Sequence, residues 1–200
     1  SSIIGPAGEN LVLYANIMHR RSRANGRNGC GAVKGSKNLK ALVVKRQPPV
    51  KPAEPQGMKT LTANVKERMA ANETIVDTSL NGSAGCVEGM DAEGFLPSFN
   101  WTRTGMDNAE KTYGETITKT VLKERDTCFG CAIRCKGVVD IPGKADPNYG
   151  GPEYETLATF GSYCGNSDLA DVCEANQLCN MYGMDTISCG ATIAWAMDCY

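Results

Sequence analysis

The chain has 200 residues, 42% of them hydrophobic, and its 21 basic and 22 acidic side chains give a formal net charge of −1 at pH 7. This length can bury a globular core, and a charge so close to zero provides no field that would attract nucleic acid or an anionic membrane, so we expect neither partner. No apolar run approaches the ~20 residues of a membrane-spanning helix and the N-terminus lacks a signal-peptide pattern, which together predict a cytoplasmic protein without a membrane span.

The first quarter of the chain predicts short elements and loops. Residues 11–18 are apolar, residues 26–38 are dense in glycine and are expected to form a loop, and the β-branched run at 39–44 predicts a short buried strand. Four prolines within residues 45–57 predict an extended connector and a domain boundary.

Beyond the connector the patterns favour helices. Residues 58–72 and 110–124 have helical composition, whereas the Gly/Ser-rich stretch 81–94 and the aromatic stretch 95–101 are typical of loops. Asp168 is placed to cap a helix that ends at Gly183, and a further helix is expected to start near Thr186. The chain starts without Met and stops within this last helical run, so we expect an interior part of a longer protein.

Three closely spaced cysteines, Cys128, Cys131 and Cys135, form a C-x2-C-x3-C pattern. Thiolates bind iron, and this spacing suits three ligands of a [4Fe–4S] cluster whose fourth ligand lies elsewhere. The spacing alone leaves open a thioredoxin-like redox pair or half of a zinc site, although a chain with a single His would have to build a zinc site from isolated cysteines. The ten cysteines favour reduced thiols over a disulfide scaffold, because the chain is neither small nor evidently secreted.

Two weaker patterns carry further candidates. The glycine-dense loop matches no nucleotide-binding motif, but Arg23 and Arg27 beside it have the chemistry to pair with phosphate; a tight turn before a strand is the simpler interpretation. Glu153 and Glu155 follow the cysteines and suit a proton-transfer role beside a redox site, or simply form an exposed acidic pair. Their side chains point the same way in an extended segment and diverge in a helix.

Five segments in this order resemble the aldehyde ferredoxin oxidoreductase family of tungsten-pterin enzymes: GPAGEN, RANGRNGCGAVKGSKNLKALVV, C-x2-C-x3-C, GPEYET and NMYGMDTIS. The resemblance covers nearly the whole chain and is least distinctive over residues 48–108. It implies a mainly α (α+β) fold, in which residues 1–47 are the C-terminal part of an N-terminal β-rich pterin-binding domain. Residues 48–200 are then the first helical domain, incomplete at its C-terminus.

The resemblance also implies a site built around a tungsten bis-pterin cofactor, a [4Fe–4S] cluster and a magnesium ion that bridges the pterin phosphates. The implied pterin and phosphate contacts are Arg23, Ala24, Gly26, Arg27, Asn180, Gly183, Met184, Asp185 and Thr186. The last five match a D-x-x-G-L-(D/C)-x motif, from which this chain departs by Asn180 for Asp and by Met184 for Leu. The implied cluster ligands are Cys128, Cys131 and Cys135.

Glu155 takes the place of the family's acid near tungsten, and the implied partner His and fourth cluster cysteine lie beyond Tyr200. His19 is on the wrong segment to be that His. Glu174 aligns with a position that holds an iron between subunits in some family members, but an ordinary helix-surface glutamate is the simpler interpretation. The family allows for a homodimer.

The activity implied is oxidation of an aldehyde to a carboxylic acid at tungsten with oxygen from water, after which the cluster passes electrons singly to ferredoxin or a related carrier subunit. One alternative within the family is the tungsten subunit of an ATP-independent benzoyl-CoA reductase, which acts on an aromatic acyl-CoA. Another alternative, of a different class, is an iron–sulfur electron-transfer module without pterin. In each case we expect the 200 residues by themselves to be inactive.

Overall fold

The computed structural model describes residues 1–45 and 51–200, and within these residues the fold combines many helices with small antiparallel sheets. This confirms the expected mainly α (α+β) class. The helices are α1 (Pro6–Glu9), α2 (Cys30–Ser36), α3 (Pro55–Ala70), α4 (Glu73–Asn81), α5 (Gly85–Ala92), α6 (Gly114–Thr120), α7 (Tyr154–Phe160), α8 (Leu169–Tyr182) and α9 (Thr186–Asp198). The strands are β1 (Ser2–Ile4), β2 (Ile17–His19), β3 (Arg23–Asn25), β4 (Ala41–Leu42), β5 (Pro97–Ser98), β6 (Arg103–Thr104), β7 (Leu122–Asp126) and β8 (Lys136–Val139).

The N-terminal sheet has the order β3-β2-β1-β4, with every neighbour antiparallel. The predicted loop at 26–38 is partly wrong, because it contains α2. The glycines there serve close packing: a Cβ at Gly35 would lie 1.9 Å from the carbonyl oxygen of Gly8 in α1, and one at Gly31 would lie 2.5 Å from that of Asn16. This tertiary packing outweighs the low intrinsic helix propensity of glycine.

The strand expected at 39–44 is shorter and less buried than predicted. Only Ala41–Leu42 pairs, with β1 alone, and the side chains of Val43 and Val44 are 77% and 84% exposed. A strand at the edge of a sheet has one neighbour, so a β-branched run there is not necessarily covered. The predicted boundary between residues 47 and 48 lies outside the described residues. Within the predicted connector, α3 already begins at Pro55, which suits the first turn of a helix.

Two predictions in the middle of the chain are corrected. The stretch 81–94 is not a simple loop, because it contains α5, whose Val87 is 2% exposed and packs in the main core with Leu96 and Leu157. Residues 110–124 are not one helix, because α6 ends at Thr120 and β7 follows. Since β7 pairs with β8, the cysteine segment is the connection of a β-hairpin.

Both C-terminal helices begin where the sequence predicted, and α8 also ends at its predicted position. Asp168 accepts hydrogen bonds from the backbone N–H of Ala170 at 2.8 Å and of Asp171 at 3.2 Å, and α8 ends at Gly183 with φ of 72°. Helix α9 then starts at Thr186, and α7 lies so close to it that a Cβ at Gly190 would be 2.7 Å from Cβ of Thr159. Over residues 1–45 and 51–200, no helix has both the length and the apolar character needed to cross a membrane.

Candidate functional site

The β7–β8 hairpin presents the three cysteines at its connection. Cys128 is exposed, Cys131 and Cys135 are half-buried, and the backbone N–H of Cys131 donates to the carbonyl of Cys128 at 3.1 Å. Backbone N–H groups of Ile133 and Arg134 lower the pKa of Cys131, while burial raises that of Cys135. The loop therefore supplies hydrogen-bond donors that favour a thiolate at Cys131.

In the part of the chain that the structure describes, no group of three or more His, Cys, Asp or Glu side chains is arranged to hold a metal ion. The ten cysteines all fall in that part and are free. The assignment of Cys128, Cys131 and Cys135 as cluster ligands stays a prediction.

Arg23 links the arginine–glycine loop to the cysteine hairpin. Its guanidinium donates to Asp126 Oδ2 at 2.9 Å and to Cys128 Sγ at 3.5 Å. The backbone N–H of Thr127 and then Arg23 lower the pKa of Asp126. One arginine of the implied cofactor loop is therefore held beside the first cysteine by an ion pair.

Backbone hydrogen bonds join residues 14–16 to the loop between α8 and α9. The backbone N–H of Asn16 donates to the carbonyl of Gly183 at 2.7 Å, and that of Asp185 donates to the carbonyl of Tyr14 at 3.0 Å. Ala15 and Met184 form an isolated antiparallel bridge between these bonds. These backbone bonds bring the N-terminal segment against the predicted pterin motif, although the two are far apart in sequence.

The arginine–glycine loop and the Asn180–Thr186 connection line one cleft of about 410 Å³. Of the residues singled out from the sequence, the cleft is lined by Arg23, Ala24, Gly26, Cys128, Glu153, Asn180, Met184, Asp185 and Thr186. The lining does not include Arg27, Gly183, Cys131, Cys135 or Glu155. Arg27 nevertheless contacts the cleft wall, because its Nη1 lies 3.1 Å from Asp185 Oδ2.

Asp185 is the buried acid of this cleft, at 5% exposure. Its Oδ2 accepts from the backbone N–H of Ser188 at 3.0 Å, from Ser188 Oγ at 2.6 Å and from Arg27, so it caps α9 and anchors the loop. A Cβ at Gly26 would lie 3.3 Å from Asp185 Oδ1 and 3.4 Å from Asn16 Oδ1. Glycine at this position therefore keeps the space between the two walls open.

Sequence reasoning missed several lining residues, which are Asn16, Ser22, Lys136, Thr156 and Asn176. Asn176 lies one helical turn before Asn180, so the i, i+4 spacing is a signal that could have found it. Asn16 is the one amide side chain in the apolar-rich stretch 11–18, and Lys136 directly follows Cys135, so each position also carried a signal in the sequence. Lys136 is 7% exposed, donates to the carbonyl of Gly151 at 2.8 Å and lies 3.3 Å from Glu153 Oε1.

The two glutamates of the GPEYET segment point to different places. Glu153 has extended backbone (φ −96°, ψ 170°) before α7, lines the cleft and accepts a hydrogen bond from Ser83 Oγ. Glu155 sits in the first turn of α7, is exposed, and raises the pKa of Tyr154, whose burial is the larger cause of its rise to about 12. The described structure thus brings Glu153, but not Glu155, to the cleft.

Two other singled-out residues lie outside this site. His19 is exposed on β2, and its ring Nδ1 is 2.7 Å from the carbonyl of Ser1. Glu174 is a helix-surface residue 4.0 Å from Lys144 Nζ. Neither residue lines the cleft.

Comparison with protein families matches both parts of the chain. Residues 1–46 match the model "Aldehyde ferredoxin oxidoreductase, N-terminal domain", and residues 60–200 match "Aldehyde ferredoxin oxidoreductase, domains 2 & 3". The two matches stand in the order expected from the sequence motifs.

Individual relatives are similar over nearly the whole chain. The tungsten-containing aldehyde ferredoxin oxidoreductases of Thermococcus kodakarensis and Pyrococcus furiosus are each 38% identical over 199 residues, which is 98% of this chain. The aliphatic sulfonate oxidoreductase WOR-like subunit of P. furiosus is 29% identical over 202 residues. The chain spans 32% of the length of each of these relatives.

A solved structure has the same fold. The active site complex BamBC of benzoyl coenzyme A reductase, in complex with 1,5-dienoyl-CoA, contains a chain that aligns with a TM-score of 0.76 and 25% identity, over 98% of this chain and 31% of that one. Whole-chain identity, the two family matches and this structural similarity lead to one conclusion: the chain belongs to the aldehyde ferredoxin oxidoreductase family.

Proposed function

We propose that the chain is part of a tungsten-pterin oxidoreductase that oxidises aldehydes to carboxylic acids and passes the electrons to ferredoxin or a related carrier subunit. The observation that carries the proposal is the single cleft lined by the arginine–glycine loop, the Asn180–Thr186 connection and Cys128. The 38% identity to tungsten-containing aldehyde ferredoxin oxidoreductases supports the choice of reaction. The reduced thiols that a cluster needs belong to a cytoplasmic setting.

The cleft fits an anionic, flat cofactor. Gly26 lets such a group approach the backbone closely, Arg23 lines the cleft, and Arg27 contacts its wall at Asp185, so two guanidinium groups border the cleft. We assign Arg23, Ala24, Gly26, Arg27, Asn180, Gly183, Met184, Asp185 and Thr186 to the pterin and its phosphates, with magnesium bridging the phosphates. In this proposal residues 1–47 complete the pterin-binding domain, and residues 48–200 form the first helical domain.

The chemistry of the cysteine hairpin suits an iron–sulfur cluster, because its thiols are free and the backbone donates hydrogen bonds to one of them, although the three thiols are not gathered around one point in the described structure. We assign Cys128, Cys131 and Cys135 to the cluster. A pterin-bound tungsten supplies two-electron oxidation, and a [4Fe–4S] cluster supplies one-electron transfer. Within the chain, Arg23 then links the two sites, since it contacts Cys128 and lines the cleft.

An acid of the GPEYET segment handles the proton of the reaction. The family register favours Glu155, which we propose as the catalytic acid, while Glu153 is the one of the pair that lines the cleft in the described structure. We also propose that the complete protein is needed for activity, because the chain spans 32% of its relatives' length. A homodimer belongs to the same proposal.

A second candidate function is ring reduction of an aromatic acyl-CoA. It is favoured by the structural similarity to the BamBC complex of benzoyl coenzyme A reductase, at a TM-score of 0.76. The higher identity to the aldehyde-oxidising relatives makes aldehyde oxidation our first choice. An iron–sulfur electron carrier without pterin is the least favoured, because such a carrier has no use for the cleft.

The test is anaerobic purification of the complete protein, followed by metal and pterin analysis and two assays. We expect stoichiometric tungsten and pterin, together with reduction of ferredoxin that depends on an aldehyde. Activity with the dienoyl-CoA and benzoyl-CoA couple, but not with aldehydes, would select the second candidate. A protein with a cluster but without pterin would select the electron carrier.

A further inference from the structure

Two of the cleft's side chains have buried polar atoms without a hydrogen-bond partner. In residues 1–45 and 51–200, the buried side-chain atoms that lack a partner are Asn16 Oδ1, Arg125 Nε and Asn176 Nδ2. Both asparagines line the cleft, and each is 3% exposed. Since a buried polar group without a partner is costly, two such atoms in one cleft give a bound group two hydrogen bonds that the protein leaves open.

Asn16 is held as an acceptor on one wall. Its backbone is fixed to the carbonyl of Gly183, and a Cβ at Gly26 would lie 3.4 Å from its Oδ1. The absence of a side chain at Gly26 therefore leaves room beside the amide of Asn16. Its Oδ1 is suited to accept from an N–H group that enters this space.

Asn176 is the donor on the helical wall. Asn180, one turn further along α8, already donates from its Nδ2 to the carbonyl of Tyr149 at 2.9 Å. Asn176 Nδ2 has no such partner in the described chain, although both residues line the cleft. Because the terminal amide torsion of asparagine is soft, this N–H can turn towards a group in the cleft.

We propose that Asn16 and Asn176 are additional binding residues for the pterin ring, outside the arginine–glycine loop and the Asn180–Thr186 motif. A pterin edge carries both an amino group and a carbonyl group. Asn16 Oδ1 accepts from the N–H side and Asn176 Nδ2 donates to the oxygen or ring nitrogen side. This inference rests on the proposed pterin cofactor and adds the residues that orient the ring.

The test replaces each amide by leucine, which is similar in size but offers no hydrogen bond, in the complete protein. After exhaustive dialysis, we expect the pterin and tungsten content of N16L and of N176L to be lower than that of the wild type by about tenfold or more. Iron and acid-labile sulfide should be unchanged. The same variants, produced in cells that make no pterin, should melt no lower than the cofactor-free wild type, because no protein hydrogen bond of these atoms is lost. The control is N64L, since Asn64 is exposed on α3 and does not line the cleft.

Two results would overturn the inference by itself. One is wild-type pterin retention in both variants when the wild type is loaded. The other is an equal loss of melting temperature in the cofactor-free and loaded proteins, which is the signature of a structural role. A wild type that holds neither pterin nor tungsten would overturn the proposed function as well.

Discussion

At the scale of single residues, the backbone at the start of α7 separates two neighbouring acids. Glu153 is extended and faces the cleft, whereas Glu155 is in the first helical turn and is exposed. Glu153 is also tied to the structure through Ser83 and Lys136. The family register and the cleft geometry therefore favour different members of the pair.

Replacing each glutamate by glutamine in the complete protein separates these assignments. If Glu155 is the acid, E155Q should turn over about 10²–10⁴-fold more slowly with normal tungsten and iron content, because general acid–base catalysis contributes a factor of this size. E153Q should then slow turnover less than E155Q does. The control is the same substitution at Glu174, E174Q, which lies on a helix surface outside the cleft. The reverse pattern would move the catalytic role to Glu153 and show the register to be wrong by two residues.

At the scale of elements, the glycines of the N-terminal unit permit contacts between backbones. The Cα of Gly35 in α2 faces the carbonyl of Gly8 in α1, whereas nothing lies within 4 Å of a Cβ built on Gly89, which is exposed in α5. Glycine is therefore required by packing at position 35 and not at position 89.

Alanine should have opposite effects at these two glycines. G35A introduces a clash with backbone and should destabilise by about 1–3 kcal/mol or more, since overpacking forces the two helices apart. G89A should stabilise by about 1 kcal/mol, because alanine has the higher helix propensity and finds open space. Thermal unfolding of the complete protein at a fixed scan rate measures both; a stable G35A would contradict the tight α1–α2 contact.

The α8–α9 pair also contains a thiol of unusual acidity. Hydrogen bonding from Cys179 and from Tyr14 lowers the pKa of Cys189, against the opposing effects of burial and Asp185. A lowered pKa means that the thiolate is populated at a lower pH than for an ordinary cysteine.

Alkylation of Cys189, followed by mass spectrometry of its peptide, should therefore reach half its maximum at a lower pH than for an ordinary cysteine. The exposed Cys86 serves as the control for reagent access. Y14F removes one donor to the thiolate and should move the Cys189 midpoint to higher pH. A midpoint that Y14F leaves unchanged would remove Tyr14 from this effect.

At the scale of the whole molecule, one cleft joins the N-terminal segment, the cysteine hairpin and the α8–α9 loop. Arg23 contacts Asp126 and Cys128, while Asn16 contacts Gly183, so the proposed pterin and cluster sites share their walls. A substitution in one site is then expected to alter the occupancy or the spectroscopic signal of the other.

Serine at Cys128, Cys131 or Cys135 in the complete protein should abolish or alter the electron paramagnetic resonance signal of the cluster, because a hydroxyl is a poor substitute for a thiolate ligand. Serine at the exposed Cys86 is the control and should leave the signal unchanged. Stoichiometric zinc together with no acid-labile sulfide would contradict the cluster assignment and favour a zinc site.

The sequence by itself was sufficient for features that depend on neighbouring residues. The cap at Asp168, the left-handed Gly183, the helix start near Thr186 and the family motifs could be read directly, because a cap or turn acts over three or four residues. Family membership followed from the order of these motifs. The helical α2 and α5 were missed, because the glycines of α2 pack against α1 and residues 15–16 and Val87 of α5 packs in the main core, and composition does not reveal such contacts.

Only the tertiary structure decided which residues meet. The backbone bonds between residues 14–16 and 183–185 join segments some 170 residues apart, and no local pattern specifies such a pairing. The same holds for Asn16 and Asn176, whose unpaired atoms become visible only when every possible partner has been placed. Local propensity could identify the elements, but the cleft results from long-range contacts, and these depend on the whole fold.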